Sequence, residues 1–367
     1  MFSRIKYISY PSFIRKKMVA RDKEQRRKKL KKSKGKIVIA VAVLLLLALA
    51  ATVTVIWLKG RNKARSGVSL DIENVVIGDG SSPVIRDSGK SVIYKGNTYN
   101  FNENVVSFAL IGIDKETMGL DYGVVGTGGQ SDTIAVLAYD TETGKSKIVV
   151  IPRETMTEVS TYSANGSYLD IQNMQICLAY AYGDGKELSC RNAISSIDRL
   201  LFGIQINHFV ALDLDGIVAL NDAVGGVELT CIETIGQFTE GERVNLIGDM
   251  ADKYVRDRRM DRVDADSARR ARQKQYIEEF VSKTMKMAKK DLSLIPRLWS
   301  FASDYMISDL SADDVVYLSG VALIRNFELG DFTTVPGEYR MGERYAEYHA
   351  DETALFELVL DTFYTKQ

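Results

Sequence analysis

A run of 22 residues without a charged side chain, Ile37–Leu58, constrains this chain more than any other feature of its sequence. As a helix rising about 1.5 Å per residue it would reach ~33 Å, enough to cross a hydrocarbon core of about 30 Å. Trp57 stands near the far end of the run, where an indole favours the membrane interface. A cleaved signal peptide is the alternative, with a small-residue site at Ala48-Leu49-Ala50. The length of the run favours a permanent transmembrane helix.

Charge is strongly segregated around that run. Residues 1–36 hold 15 Lys or Arg and two acidic residues, and residues 59–65 add four basic residues. Because positive charge is retained in the cytoplasm, we expect a single-pass protein of the cell membrane with a cytoplasmic N-terminus and an extracytoplasmic C-terminal domain. The chain is therefore divided into a basic tail (1–36), a transmembrane helix (37–58), an extracytoplasmic tether (59–90) and one catalytic-type domain (91–367).

The part of the chain after residue 65 is acidic, with 29 basic and 46 acidic residues. This balance, together with a compartment that lacks DNA, argues against a nucleic-acid partner. The three cysteines, Cys177, Cys190 and Cys231, lack a metal-binding spacing and indicate buried small side chains, with one disulfide and one free thiol as the alternative. Only two histidines are present, which argues against a histidine-rich zinc site.

Strand and helix patterns are mixed throughout the folded part. Two alternating runs flank Lys95-Gly96-Asn97 and predict a hairpin, and Val106–Asp114 is typical of a buried strand. Strands at Thr133–Tyr139 and Lys147–Ile151 bracket a second predicted hairpin, and a long helix is expected from about residue 266 to residue 289. One continuous mixture of this kind indicates a single α/β domain.

Three polar residues mark one edge of the predicted sheet. Asp114 ends one strand, Asp132 begins the next, and Arg153 follows the third. If these strands run up, down and up, the three side chains meet at one edge. Two carboxylates and a guanidinium there would suit Mg²⁺ and a phosphate. The alternative is ordinary carboxylates at loop edges, since aspartate is common where strands end.

A cluster of arginines occupies residues 254–276, YVRDRRMDRVDADSARRARQKQY. The stretch Tyr254–Arg259 is predicted to be extended, so that Arg256 and Arg258, two residues apart, point the same way. A cluster of arginines is unexpected in an acidic domain, and binding of an anion would explain it.

In the helix predicted to follow, Arg269 and Gln273 lie one turn apart on the stripe that becomes apolar at Tyr276 and Phe280, with Arg272 beside them. Cations in the first turns of a helix oppose its dipole, and an anion bound among them would resolve that conflict. The alternative is a solvated helix whose arginines pair with the nearby aspartates.

Eight short motifs follow one another in a fixed order. They are LIGID (110–114), SDTIAVLAYD (131–140), IPRE (151–154), AYAYGDG (179–185), FVALDLDGIVALNDAVGGVEL (209–229), YVRDRR (254–259), D-x-x-R-x-x-RQ (266–273) and VPGE (335–338). Together they resemble the LytR–CpsA–Psr family, enzymes on the outer face of mainly Gram-positive bacteria. The resemblance covers roughly residues 92–367, and it rests on the order of the set rather than on any one motif.

This resemblance implies a three-layer αβα sandwich around a mixed central β-sheet, with a pocket for a polyprenyl tail. It also implies a phosphotransferase that moves a glycopolymer phosphate from a polyprenyl (undecaprenyl) pyrophosphate carrier to peptidoglycan, with Mg²⁺ or Mn²⁺ as cofactor. Transfer to water instead would be a pyrophosphatase side activity. Teichoic acid, capsule and secondary wall polysaccharide are all compatible polymers.

The resemblance also assigns roles by position. Asp114 and Asp132 are expected to hold the metal. The residues expected to contact the pyrophosphate are Arg153, Arg256, Arg258, Arg269, Arg272 and Gln273. Within the whole set, the expected catalytic residues are Asp132, Arg153, Arg258 and Arg269.

Four departures from the family pattern leave a second hypothesis open. Gln130 stands where members commonly have Arg, and Glu154 where they commonly have Asp. Gln175-Ile176-Cys177 replaces Lys-Ile-Asn, and Asp266-Ser267-Ala268-Arg269 replaces Asp-Phe-Gly-Arg. Because cations are missing, the domain could instead be a non-catalytic binder or sensor of polyprenyl-linked intermediates. A transcriptional attenuator, a third reading, is disfavoured because the predicted topology places the domain outside the cell.

Overall fold

The computed structural model describes residues 59–61, 83–87, 89–113, 129–257 and 265–367. The predicted transmembrane helix and basic tail lie outside these residues, and so do Asp114 and Arg258. Within the described ranges, no helix is both long and apolar enough to cross a membrane.

The described part of the chain contains sixteen strands and eight named helices. The strands are β1 (Val84–Arg86), β2 (Ser91–Tyr94), β3 (Asn97–Phe101), β4 (Val105–Ile113), β5 (Ser131–Asp140), β6 (Ser146–Ile151), β7 (Met156–Tyr162), β8 (Tyr168–Gln175), β9 (His208–Leu212), β10 (Val227–Thr230), β11 (Arg243–Leu246), β12 (Met306–Ser308), β13 (Phe332–Thr334), β14 (Gly337–Met341), β15 (Ala346–Ala350) and β16 (Tyr364–Lys366). The helices are α1 (Leu178–Ala181), α2 (Glu187–Leu200), α3 (Leu214–Ala223), α4 (Asp249–Arg256), α5 (Ala265–Ala288), α6 (Leu294–Ala302), α7 (Ala312–Ile324) and α8 (Glu352–Phe363).

A six-stranded mixed sheet forms the centre of the domain, in the order β12-β9-β4-β5-β6-β13. The β4–β9 and β6–β13 pairs are parallel, and the β4–β5, β5–β6 and β9–β12 pairs are antiparallel. The predicted mixed α/β class is therefore confirmed. A second, antiparallel sheet has the order β1-β2-β3-β16. Because β1 lies within residues 59–90, the folded domain begins earlier than the predicted boundary at residue 91.

The hairpin that joins β2 and β3 shows how local sequence fixes the register. Lys95 and Gly96 both adopt positive φ, 47° and 77°. Two consecutive residues in this region form the type I′ turn that matches the twist of paired strands. Asn97 belongs to β3 and pairs with Tyr94, so the connecting loop is one residue shorter than predicted.

Alternate residues of β5 face opposite sides of the central sheet. Ile134 and Val136 are buried in the main core, together with Ile197 of α2 and Leu360 of α8. On the other side, the ring of Tyr139 meets the ring of Phe327, which follows α7, edge-on at 5.2 Å. The continuous apolar pattern of this strand is explained by burial on both faces.

The structure changes one prediction about the chain and confirms another. Residues 254–256 are helical rather than extended, because Ala251, Tyr254 and Val255 are buried at helical spacing in α4. The three cysteines are free and buried, which confirms small core side chains and excludes the alternative of a disulfide.

Candidate functional site

The candidate site lies where three neighbouring strands share one edge of the central sheet. Strands β4, β5 and β6 alternate in direction, so the end of β4, the start of β5 and the end of β6 come together. Asp132, second in β5, forms an ion pair with Arg153, two residues beyond β6. The structure thus brings together these two predicted site residues. Asp114 follows Ile113, which pairs with Ser131, but its own position is outside the described residues.

Arg153 is held by acceptors on both sides. One terminal nitrogen donates to Gln130 Oε1 at 3.4 Å, and Nε lies 3.5 Å from Glu154 Oε1. The side chains of Arg153 and Asp132 keep 40% and 35% of their exposure, so a ligand can reach both. In such a partly solvated pair, exchanging the carboxylate for a phosphate oxygen carries little desolvation cost.

The backbone around Arg153 is tied to the segment that enters α1. Cys177 N–H donates to Arg153 O at 3.2 Å, and Ser131 N–H donates to Cys177 O at 3.3 Å. Thr155 closes the turn after β6, with its backbone and hydroxyl both donating to Pro152 O. These bonds fix the ends of β5 and β6 relative to each other, so the ion pair sits on rigid backbone.

Cys177 also places its side chain beside the site. Its sulfur lies 3.9 Å from Gln130 Oε1 and 4.0 Å from Gln175 Oε1. Burial raises the pKa of the thiol to about 11, although Arg153 opposes the shift. The sulfur is therefore protonated at neutral pH and is a poor nucleophile.

Three of the four departures from the family pattern are clustered in space. Gln130 and Glu154 contact Arg153, Cys177 adjoins Gln130, and Gln175 adjoins Cys177. The changes therefore concern one local environment, in which amides stand near the arginine where the family commonly has cations.

A β-hairpin that sequence reasoning did not single out completes this edge. Tyr339 of β14 donates its hydroxyl to Glu154 Oε2 at 3.4 Å, and its ring packs edge-on against Tyr348 at 4.9 Å. Tyr348 N–H donates to Glu154 O at 2.9 Å. Burial and the nearby Glu154 carboxylate raise the pKa of Tyr339, while Arg270 opposes the shift. The sequence signal for this strand was the alternation of Tyr339 and Met341 with the charged residues Glu338 and Arg340, at the end of VPGE.

The first turns of α5 approach the same region. Arg270 acts electrostatically on Tyr339 and Tyr348. Lys274, one turn later, lies 3.9 Å from Asp331 and 5.8 Å from the centre of the Phe332 ring, next to β13. Arg269, partly buried, precedes Arg270 in this helix. Arg270 and Lys274, which are neighbours of Arg269 in α5, therefore support the predicted approach of this cationic helix to the sheet edge.

Arg272 occupies a different environment from the one predicted. Its side chain is 1% exposed, and Nε lies 2.6 Å from Glu233 Oε1. Its two terminal nitrogens donate to the backbone carbonyls of Tyr254 and Asp257, and the guanidinium stacks over the Tyr254 ring. All three nitrogens are therefore occupied, so Arg272 holds the end of α4 against α5. A phosphate contact would require these bonds to break.

Gln273 and Arg256 belong to the same helix pair. Gln273 donates to Val255 O at 3.2 Å, which again joins α5 to α4. Arg256, the last residue of α4, is exposed and lies 3.5 Å from Asp252. It leads directly towards residues 258–264, which the structure does not describe, so its predicted alignment with Arg258 stays a prediction.

Of the two predicted metal ligands, the structure describes Asp132 and does not describe Asp114. Among the described residues, no group of three or more His, Cys, Asp or Glu side chains could hold a metal ion. Mg²⁺ commonly uses one or two carboxylates and completes its shell with water and substrate phosphates. Asp132, with its exposed carboxylate at the strand edge that Asp114 follows, fits this type of donor set.

Comparison with known proteins identifies the family. The LytR_cpsA_psr family model matches residues 84–361, which include every strand and helix of the site. The chain belongs to the LytR_cpsA_psr family. The four atypical positions around Arg153 are therefore variations within this family rather than signs of a different one.

Individual relatives agree with this assignment. The chain is 31% identical over 220 residues to the polyisoprenyl-teichoic acid–peptidoglycan teichoic acid transferase TagU of Enterococcus faecalis, covering 58% of this chain and 64% of that one. It is 32% identical over 160 residues to TagU of Halalkalibacterium halodurans, covering 42% of this chain and 48% of that one. The matches thus span less than two thirds of either relative's length.

A solved structure shares the fold. The structure of TagT bound to LI-WTA superposes with a TM-score of 0.53 and 17% sequence identity, covering 79% of this chain and 98% of that one. At this identity the likeness concerns the fold alone.

Proposed function

We propose that this member of the LytR_cpsA_psr family transfers a phosphate-linked glycopolymer from a polyprenyl pyrophosphate carrier to a hydroxyl of peptidoglycan. The observation that carries the proposal is the ligand-accessible Asp132–Arg153 pair at the sheet edge. Two relatives named as teichoic acid transferases acting on peptidoglycan support it. A teichoic acid is accordingly the first polymer to test.

The proposed reaction requires one bond to form and one to break at phosphorus. The oxygen of the acceptor hydroxyl bonds to the phosphorus that carries the glycopolymer. The bond from that phosphorus to the bridging oxygen breaks, the lipid monophosphate leaves with the electron pair, and the hydroxyl proton is released to solvent. Since the carrier's own pyrophosphate bond drives the transfer, the main task of the protein is to position the phosphates and stabilise their charge.

Arginines supply the positive charge in this proposal. Arg153 would bind a phosphate oxygen after exchanging its bond to Asp132, and Arg269 would contribute from the first turns of α5. Arg256 would approach from the end of α4, and Arg258 from the segment between α4 and α5. Arg272 and Gln273 would act indirectly, since they hold α4 and α5 together.

Mg²⁺ or Mn²⁺ is proposed as the cofactor, held by Asp132 and Asp114. When bound, the ion would neutralise charge on the pyrophosphate and on the leaving lipid phosphate. The exposed carboxylate of Asp132 supports this role, and release of Asp132 from Arg153 would make both residues available together.

We also propose that the domain lies outside the cell, on a membrane anchor. The apolar run at 37–58 and the basic residues before it support a single membrane anchor with the domain outside the cell. Burial on both faces of the central sheet, with α2 and α8 in the core on one face and Phe327 against Tyr139 on the other, supports the three-layer arrangement.

Non-catalytic binding of the lipid-linked intermediate is the second candidate, and the amides at Gln130 and Gln175 favour it. Fewer cations at the phosphate would weaken stabilisation of the charge that develops during transfer. Metal-dependent release of lipid phosphate from a short polyprenyl pyrophosphate separates the two candidates, because a pure binder releases none.

The phosphate site itself is tested by thermal unfolding with and without a short polyprenyl pyrophosphate and Mg²⁺. A ligand well above its Kd should raise the Tm of the wild-type protein, and Arg153→Ala and Arg269→Ala should reduce that increase strongly. Arg297→Ala is the control, because Arg297 of α6 is exposed and pairs with Asp291, which precedes that helix. An increase retained in full by both test variants would refute the assignment.

A further inference from the structure

The β14–β15 hairpin carries an unusual stripe of exposed apolar side chains. Tyr339, Met341 and Tyr345 are 57%, 83% and 72% exposed. Tyr339 pairs with Tyr348 and Met341 with Ala346, so Tyr339 and Met341 lie on the same face of the hairpin. Tyr348, also on this face, is only 7% exposed. The stripe is therefore buried at Tyr348 and open at Tyr339 and Met341. Tyr345 lies in the turn at the tip of the hairpin, where its carbonyl accepts from Gly342 N–H at 2.9 Å.

The inner end of the stripe touches the phosphate site. Tyr339 donates to Glu154, and Glu154 lies beside Arg153. The hairpin is also fixed to the sheet edge, since Tyr348 N–H donates to Glu154 O at 2.9 Å and Gln175 Nε2 donates to Ala346 O at 2.9 Å. A molecule lying along the stripe would thus have one end next to a phosphate held by Arg153.

The charge of the hairpin limits what that molecule can be. The hairpin, residues 337–350, contains three acidic and two basic side chains. Glu338 and Arg340 pair with each other at 2.7 Å, on the opposite face from Tyr339 and Met341. A surface with a slight excess of negative charge gives no electrostatic attraction to anionic lipids or to a polyanionic polymer. Tyrosines offer an apolar ring and a hydroxyl, which suit the C–H faces and hydroxyls of sugars.

We propose that Tyr339, Met341 and Tyr345 form an acceptor platform, on which a sugar chain lies with its reacting hydroxyl next to the phosphate at Arg153. This inference rests on the proposed transferase function and assigns the acceptor side of that site. Tyr339 contacts the sugar unit nearest the phosphorus, while Met341 and Tyr345 contact units farther along the chain.

The test compares Tyr339→Ala and Tyr345→Ala with wild type, using full-length protein in detergent. The donor is a short polyprenyl pyrophosphate linked to a sugar, and the acceptor is an uncrosslinked peptidoglycan oligosaccharide. Acceptor and donor concentrations are varied separately, and acceptor binding without donor is measured by calorimetry. Tyr168→Ala is the matched control, because Tyr168 is 56% exposed and also packs edge-on against a tyrosine, Tyr162.

Both test variants should raise the acceptor KM and weaken acceptor binding by about tenfold, the scale of truncating an aromatic anchor. The control should match wild type. Acceptor KM and affinity within twofold of wild type in both variants would overturn the platform and leave the transferase proposal standing. An effect on the donor KM alone, which a hairpin serving the bilayer would give, would overturn it as well. Failure of wild type to transfer, with acceptor binding still dependent on Tyr339, would contradict the transferase proposal and not the sugar-binding surface.

Discussion

Asp132 and Arg153 form an ion pair between the start of β5 and the residues that follow β6. Neither side chain is buried, so the pair contributes little to folding, within about 1 kcal/mol. Its importance is positional: a carboxylate suited to a metal ion and a guanidinium suited to a phosphate are held in contact on fixed backbone.

Replacing Asp132 with Ala should therefore abolish metal-dependent turnover and leave the free energy of unfolding nearly unchanged. Arg153→Ala should lower kcat by about 100-fold or more, because it removes a preorganised donor to the developing charge. Steady-state kinetics at several Mg²⁺ concentrations and urea unfolding measure both effects. Asp331→Ala is the control, since that side chain is 98% exposed. An Asp132→Ala variant with wild-type metal dependence would exclude the proposed metal role.

Replacing Arg272 should mainly lower the stability of the domain, in contrast to replacing Asp132. Arg272→Ala leaves Glu233 without its buried partner and two backbone carbonyls without donors, so we expect a loss of about 3–5 kcal/mol in the free energy of unfolding. Urea denaturation measures this loss. Arg243→Ala is the matched control, because Arg243 pairs with Glu228 on the surface and should change stability by less than about 0.5 kcal/mol. A stable Arg272→Ala variant that fails to bind pyrophosphate would instead support the direct contact predicted from the sequence.

Asp198 gives the domain a pH dependence that is unrelated to the site. Burial raises the pKa of this carboxyl to about 7, although the backbone N–H of Ile206 and the charge of Arg199 oppose the shift. Arg191, His208 and Asp309 line the same small cavity. Because the folded state holds this proton more tightly than the unfolded state, Asp198 lowers stability as the pH rises from about 4 to about 7.

Asp198→Asn should accordingly stabilise the domain at pH 8 by about 1–3 kcal/mol and bring little gain at pH 4. Unfolding curves of wild type and variant across this range measure the difference. An equal gain at both pH values would show that the carboxyl does not titrate in the predicted window.

The topology is testable on whole cells. Protease added to intact spheroplasts should digest the C-terminal domain while a tag on the basic N-terminal tail stays protected, because positive charge retains that tail in the cytoplasm. A domain fully protected from protease would contradict the extracytoplasmic assignment.

Much of the sheet could be predicted because its strands carry strong local patterns. The apolar run of β4 and the hairpin between β5 and β6 fixed three strand directions, and those directions placed Asp132 beside Arg153. The hairpins β7–β8 and β14–β15 were missed, since β8 and β14 are largely exposed and contain no run of buried apolar residues. Tyr339 was missed with them.

The arginine cluster shows where sequence patterns are insufficient. Arg269 and Arg272 are three residues apart, so helical periodicity places both on one broad face of α5. Only the packing of α4 determines that Arg272 is enclosed by Glu233, Tyr254 and Asp257. In the same way, the charged residues near Tyr254 obscured the apolar face of α4, and a helix was predicted as an extended segment.

The most direct test of the central claim is a transfer experiment with purified protein, a polyprenyl-pyrophosphate-linked teichoic acid precursor, uncrosslinked peptidoglycan and Mg²⁺. Phosphorus NMR and mass spectrometry follow both products. We predict that lipid monophosphate and a new phosphodiester between polymer and peptidoglycan appear in equal amounts, and that both form about 100-fold more slowly, or slower still, with Arg153→Ala. Binding of the precursor by the wild-type protein without either product would contradict the transferase assignment and identify a binding protein instead.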